Sequence, residues 1–198
     1  MQMKWMIVLM LWLPSCSLWS QAGPPRRDTK DVAPLDAQRE KRALQSLVNV
    51  AEQLIIPVVD AMPADKFGFA PTDGEFKGVR TFGQMVKHLS ATNYILAAAA
   101  LGEAAPPDAG DEVGPETVRT KTEIIAYLQD SFAHLDKALE ALGQANTLVN
   151  PSPISPLKRD QVTRLALIVE SLIHAADHYG QLVEYLRMNG VVPPASRP

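Results

Sequence analysis

Four stretches of this chain repeat apolar residues every third or fourth position, and no stretch alternates apolar with polar as a half-buried strand would. That contrast limits the chain to helices packed on helices. The first stretch runs from Asp36 and carries Leu44, Leu47, Val48, Ala51, Leu54, Ile55, Val58 and Met62. Pro57 lacks an amide proton and is expected to kink the helix or split it near residue 56. The second opens at "TFGQ" (81–84), where Thr81 and Gln84 have the spacing of a capping box. It continues through Phe82, Met85, Val86, Leu89 and Leu96 and closes at Gly102. A second capping box, "TKTE" (120–123), opens the third stretch, which runs through Ile124, Tyr127, Leu128, Phe132, Leu135, Leu139 and Leu142 to Gly143. The fourth is expected to start at Ser155–Pro156, because proline is tolerated at the first helical position, and to stop at Gly190. Its main apolar stripe reads as Val162, Leu165, Ala166, Val169, Leu172, Ile173 and Ala176. Connections rich in Pro and Gly separate these stretches; the acidic one at 103–116 is expected to be exposed. The fold class is all-α, a four-helix bundle over residues 36–190.

The N-terminus carries a different signal. Lys4 precedes the apolar run "WMIVLMLWL" (5–13), followed by Pro14 and small residues ending in "SQA" (20–22). That is the order of a secretory signal peptide. Its apolar core is too short to span a bilayer, and no later segment reaches the length a membrane helix needs. Residues 1–22 are therefore expected to be a signal peptide, 23–35 a flexible linker and 191–198 a C-terminal tail. The mature protein would be exported, to a periplasmic or extracellular location. "LPSC" (13–16) also half resembles a lipoprotein cleavage box, which leaves a lipid anchor at Cys16 open. Cys16 is the only cysteine, so a chain cut after Ala22 has neither a disulfide nor a thiol nucleophile.

Composition adds exclusions. With 198 residues, 46% hydrophobic and 21% charged, the chain can fill the core of one domain. Removing Lys4, the one charged residue in 1–22, moves the net charge from −3 to −4. No basic block of the kind that tracks phosphates appears, which argues against a nucleic-acid partner. A homodimer stays open, but no residue pattern names its face.

Chemistry concentrates in "IHAADHYGQLVEY" (173–185). Helical positions four apart differ by about 40°, so His174 and His178 point the same way. Two imidazoles on one turn can hold one cation, or can simply donate to backbone and carboxylate groups. They group with Leu167, Gln181 and Tyr185, beside a polar strip of Glu170, Asp177 and Glu184; periodicity does not decide between a cleft and the surface. His88 borders the apolar stripe of the second helix with Gln84 and Ile95. If those two helices are neighbours, it could complete a set of three neutral imidazoles with open positions, a catalytic rather than a structural zinc pattern. His134, amid Asp130, Asp136, Lys137 and Glu140, reads as solvent-facing.

"HAADHYGQL" (174–182) resembles the last-helix signature of the DinB/YfiT-like superfamily, in which H-x-x-x-H is followed by one residue and then Gly-Gln. "RTFGQMVKHLSATNYILAAAALGE" (80–103) is similar to that superfamily's second helix, which carries its first metal histidine. "AMPADKFGFAPT" (61–72) and "EYLRMNGVVPPASR" (184–197) resemble its members too, so the likeness covers roughly residues 40–197. The resemblance implies a bundle with a divalent metal, Zn, Ni or similar, held by His88, His174 and His178 in a cleft. Asp177 stands where many relatives have a further histidine. Relatives include thiol transferases, isomerases of thiol adducts and hydrolase-like members. A metal in such a site can lower the pKa of a bound water or bind a thiol as thiolate. Gln181 and Tyr185 are candidates to orient water or a small-molecule substrate, and Glu170 or Asp177 to act as general base. Because thiol cofactors are cytosolic, the export signal tilts the reading toward a metal-dependent hydrolase. A thiol S-transferase and a non-catalytic metal-binding or interaction bundle remain alternatives, and enzyme status stays open.

Overall fold

The computed structural model describes residues 36–71, 78–109, 112–157 and 160–198. The expected signal peptide, Cys16 and the 23–35 linker lie outside them. Four helices dominate: α1 (Ala37–Ala61), α2 (Phe82–Leu101), α3 (Lys121–Gln144) and α4 (Arg164–Met188). Among the described residues, no helix is long and apolar enough to cross a membrane.

Local chemistry sets most helix ends. The Asp36 carboxylate accepts from the Gln38 amide at the start of α1. Both expected capping boxes are formed, Thr81 with Gln84 and Thr120 with Glu123. Such caps satisfy amides that the first turn leaves free, each contributing about 1 kcal/mol. Gly102 and Gly190 end α2 and α4 with φ of +79° and +70°, a region that L side chains rarely enter.

At two points the helices narrow or correct the sequence reading. Pro57 does not split α1, which continues to Ala61. Pro57 and Gln53 both lie on the exposed side, so the Gln53 carbonyl that loses its donor is open to water. Nor does α4 start at Ser155–Pro156; its first residue is Arg164, capped by the Thr163 hydroxyl. The chain between is used otherwise. Leu148–Val149 (β1) pairs antiparallel with Val162–Thr163 (β2), a two-residue ladder absent from the helix-only reading. Ser155 Oγ donates to Glu170 at 2.7 Å. Arg164 then donates to the carbonyls of Ala100 at the end of α2 and of Ala145 after α3, at 2.9 and 3.0 Å. One guanidinium thus serves carbonyls at two helix C-termini.

In the bundle α1 and α2 each pack against both α3 and α4 and lie across a diagonal from one another. Nearly all of α2 is consequently buried, including His88, Ser90 and Asn93. Phe82, Leu89, Phe132, Leu139, Leu167 and Ile168 are among the largest fully enclosed side chains, each contributing about 1.5–3 kcal/mol by leaving water. Polar groups in this core pair with one another. Ser171 Oγ of α4 donates to Asn93 Oδ1 at 2.7 Å, and Asn93 Nδ2 donates to Ser131 Oγ of α3 at 3.2 Å. That relay joins three helices.

The relay shows which face of α4 is inside. Leu167, Ile168, Ser171, Ala175, His178, Leu182 and Tyr185 are buried. Ile173, assigned to the main apolar stripe by sequence, is 67% exposed, and Leu165, Ala166, Val169 and Leu172 are only half-buried. The inner face of α4 is therefore the side that carries the histidines.

Candidate metal centre

α2 and α4 are neighbours, and their packing brings His88, His174 and His178 together. Nε2 of His174 lies 3.1 Å from Nε2 of His88 and 2.9 Å from Nε2 of His178. The rings stand nearly perpendicular, with interplanar angles of 71°, 85° and 80° and centroids 4.3–4.9 Å apart. His88 and His178 are 5% and 8% exposed.

The donor chemistry fits a cation. Nδ1 of His88 donates to the Glu112 carbonyl at 2.8 Å, so in the neutral ring Nε2 carries the lone pair. Nδ1 of His174 and of His178 are buried without a hydrogen-bond partner among the described residues. With Nε2 of His88 a lone pair, an N–H on His174 Nε2 could point at only one of its two neighbours, so one proton per ring does not satisfy both N···N contacts. An ion at the centre takes all three Nε2 lone pairs at once. Three nitrogens about 2.0–2.1 Å from a tetrahedral zinc are about 3.3 Å apart, close to the separations found here.

His174 and His178 stay neutral well below the usual imidazole range, and His88 is shifted in the same direction. Burial, then the neighbouring His178 and His88 and the Arg80 guanidinium, lowers the pKa of His174 to about 3. Burial and the same kind of neighbours lower His178 to about 4, with Asp177 and Gln181 pulling the other way. His88 is also lowered, chiefly by burial, against the Glu112 hydrogen bond. Neutral imidazole is the form that binds metal.

Glu112 and Arg80 were not legible in the sequence. The 103–116 connection is not simply exposed: Ala109 and Gly114 are buried. Glu112 adopts a left-handed φ of +66°; its carbonyl holds His88, and its carboxylate lies 3.6 Å from the same Nδ1. Gly114, at φ +71°, has Tyr127 and the Lys87 carbonyl within 3.2–3.3 Å of where a Cβ would sit. Such second contacts orient a ligand ring and tune its basicity.

The other candidate residues are placed as follows. Tyr185 is buried, packs edge-on against Phe69 and donates its hydroxyl to the Arg80 carbonyl at 3.0 Å. Gln181 is half-buried beside His178 and donates to the exposed Asp177 at 2.8 Å. Glu170 is half-buried; burial raises its pKa, and its carboxylate is engaged by Ser155. His134 is half-buried rather than solvent-facing, its ring 4.7 Å from that of Tyr94.

No curated protein matches the chain. The family model of the DinB superfamily matches residues 47–182, a span that holds all three histidines and most of the bundle. The chain belongs to the DinB superfamily.

Proposed function

We propose that this protein is an exported metal-dependent hydrolase in which His88, His174 and His178 hold one divalent transition ion, Zn, Ni or similar. The observation that carries the reading is the convergence of three Nε2 atoms from two helices. Bound there, the ion supplies Lewis acidity to a water or a substrate oxygen. The chain's own residues prepare the site. Glu112 fixes the His88 ring and its tautomer, Arg80 and burial keep the imidazoles unprotonated, and Phe82, Phe69 and Tyr185 close the bundle beside Arg80. Glu170 and Asp177 are each held by other side chains, so neither is assigned as general base.

Export rests on the charged, apolar and small-residue order of 1–22. N-terminal sequencing of the secreted chain tests it, with Gly23 expected as the first residue. A lipidated Cys16 at that end would establish the anchored form instead.

The activity is tested by screening metal-loaded protein against ester, amide and thiol-transfer substrates. Hydrolysis lost on chelation and restored by the metal is the expected result. Thiol transfer without hydrolysis would replace the hydrolase reading. Turnover that survives stripping of the metal would overturn both.

A further inference from the structure

A cavity of about 610 Å³ adjoins the elements that build the centre, and its lining includes Arg80, Gln84, Lys87, Val113, Gly114 and Glu116. It is made from the two pieces of chain that hold His88. Gln84 and Lys87 come from the first two turns of α2, immediately before the histidine. Val113 and Gly114 directly follow Glu112, whose carbonyl accepts from His88. The wall of the cavity and the first histidine are therefore parts of one local structure.

The charges in it are unequally matched. Lys87 donates to the Pro115 carbonyl and is acted on by the Glu116 carboxylate. The carboxylate of Glu112 faces His88. Among the described residues no carboxylate lies within ion-pairing distance of Arg80, although its side chain is half-buried. Its backbone is fixed by the Tyr185 hydroxyl, two turns beyond His178 on the inner face of α4. A partly desolvated cation without a counter-ion is costly unless a ligand supplies one. The guanidinium fork matches the paired oxygens of an oxyanion.

We propose that this cavity is an anion subsite, in which Arg80 binds the carboxylate or phosphate group of a small anionic substrate whose reacting group lies at the three histidines. The inference rests on the metal reading above and adds the substrate's charge class. Lys87 is held elsewhere and contributes field rather than the contact. Substrates lacking an anionic group would lose this anchor, so specificity would follow charge before shape.

The test uses full-length mature protein loaded with Co(II), whose visible spectrum reports ligands entering the metal's coordination sphere. Malonyl, succinyl and glutaryl monohydroxamates are titrated against their methyl esters, with phosphonate analogues of equal length. At one spacer length the anionic form is expected to bind at least tenfold tighter than its ester, and the tighter of carboxylate and phosphonate names the group. Arg80→Gln is expected to bring the anion's Kd to that of the ester, both read on protein whose cobalt content has been measured. Arg80→Lys, which keeps the charge without the fork and is the second variant should the first misfold, is expected to lose at least threefold of the preference. Equal binding of anion and ester at every length, or a preference untouched by either substitution, would overturn the subsite alone. Absence of cobalt uptake would overturn the metal reading and the subsite with it.

Discussion

Nε2 of His174 faces Nε2 of His88 at 3.1 Å, across 86 residues of sequence and between two different helices. Two ring nitrogens at that distance either share a proton or share an ion. With Nε2 of His178 only 2.9 Å from the same nitrogen, a single proton cannot serve both contacts, and an ion can.

Metal should therefore stabilise the fold, because the site exists only when α2 and α4 are packed. Free metal at one hundred times its Kd contributes about 2.7 kcal/mol, roughly 5–10 °C of melting temperature for a domain of this size. Differential scanning fluorimetry with and without zinc should show that rise. His88→Ala should abolish it.

The Glu112 loop should matter through its backbone more than through its carboxylate. Glu112→Gln keeps the carbonyl that binds His88 and should change metal affinity by less than about threefold. Gly114→Ala puts a side chain at φ +71° and into Tyr127 and Lys87, which should displace the loop. Losing such a supporting contact typically costs about 10–100-fold in metal affinity. Competition against a chromogenic chelator measures both.

Protonation should oppose the fold only in acid. The folded pKa values of His174 and His178 are lowered to about 3 and about 4, against an unfolded value of about 6.5. The unfolded chain thus binds more protons between those limits. Stability from the neutral rings is full above about pH 6.5 and declines as pH falls toward 4. Metal-free protein should lose melting temperature over that window faster than the His174→Ala/His178→Ala double variant. Parallel pH curves of the two proteins check the difference.

The polar relay in the core should behave as structure alone. Ser171→Ala leaves Asn93 Oδ1 buried without its donor, a loss of about 1–3 kcal/mol. Urea denaturation should show it, with metal content unchanged. A comparable loss of metal would mean that the relay also sets the spacing of α2 and α4 at the histidines.

What the sequence revealed follows from how local each cause is. The capping boxes at Thr81 and Thr120 and the stops at Gly102 and Gly190 depend on three or four neighbouring residues, so they read directly. His174 and His178 read as a pair because one helical turn fixes their direction. His88 joined them only through the resemblance and the packing of α2 on α4. The start of α4 was misplaced because Ser155–Pro156 satisfies every local start signal, whereas pairing of Val162 with Val149 is a contact between distant residues. The inner face of α4 was misjudged because Ile173 is apolar yet exposed, while Ser171 and His178 are polar yet buried. Partners on other helices make that burial affordable. Glu112 carries no motif and Arg80 only opens the second-helix stretch with no role read from it; the fold brings both to the site.

The most direct measurement is elemental analysis of protein purified without a metal-affinity tag, for wild type and His88→Ala side by side. The account predicts about one equivalent of a divalent transition metal in the wild type and less than a tenth in the variant. Less than a tenth of an equivalent in the wild type, or a metal content that His88→Ala leaves unchanged, would contradict it.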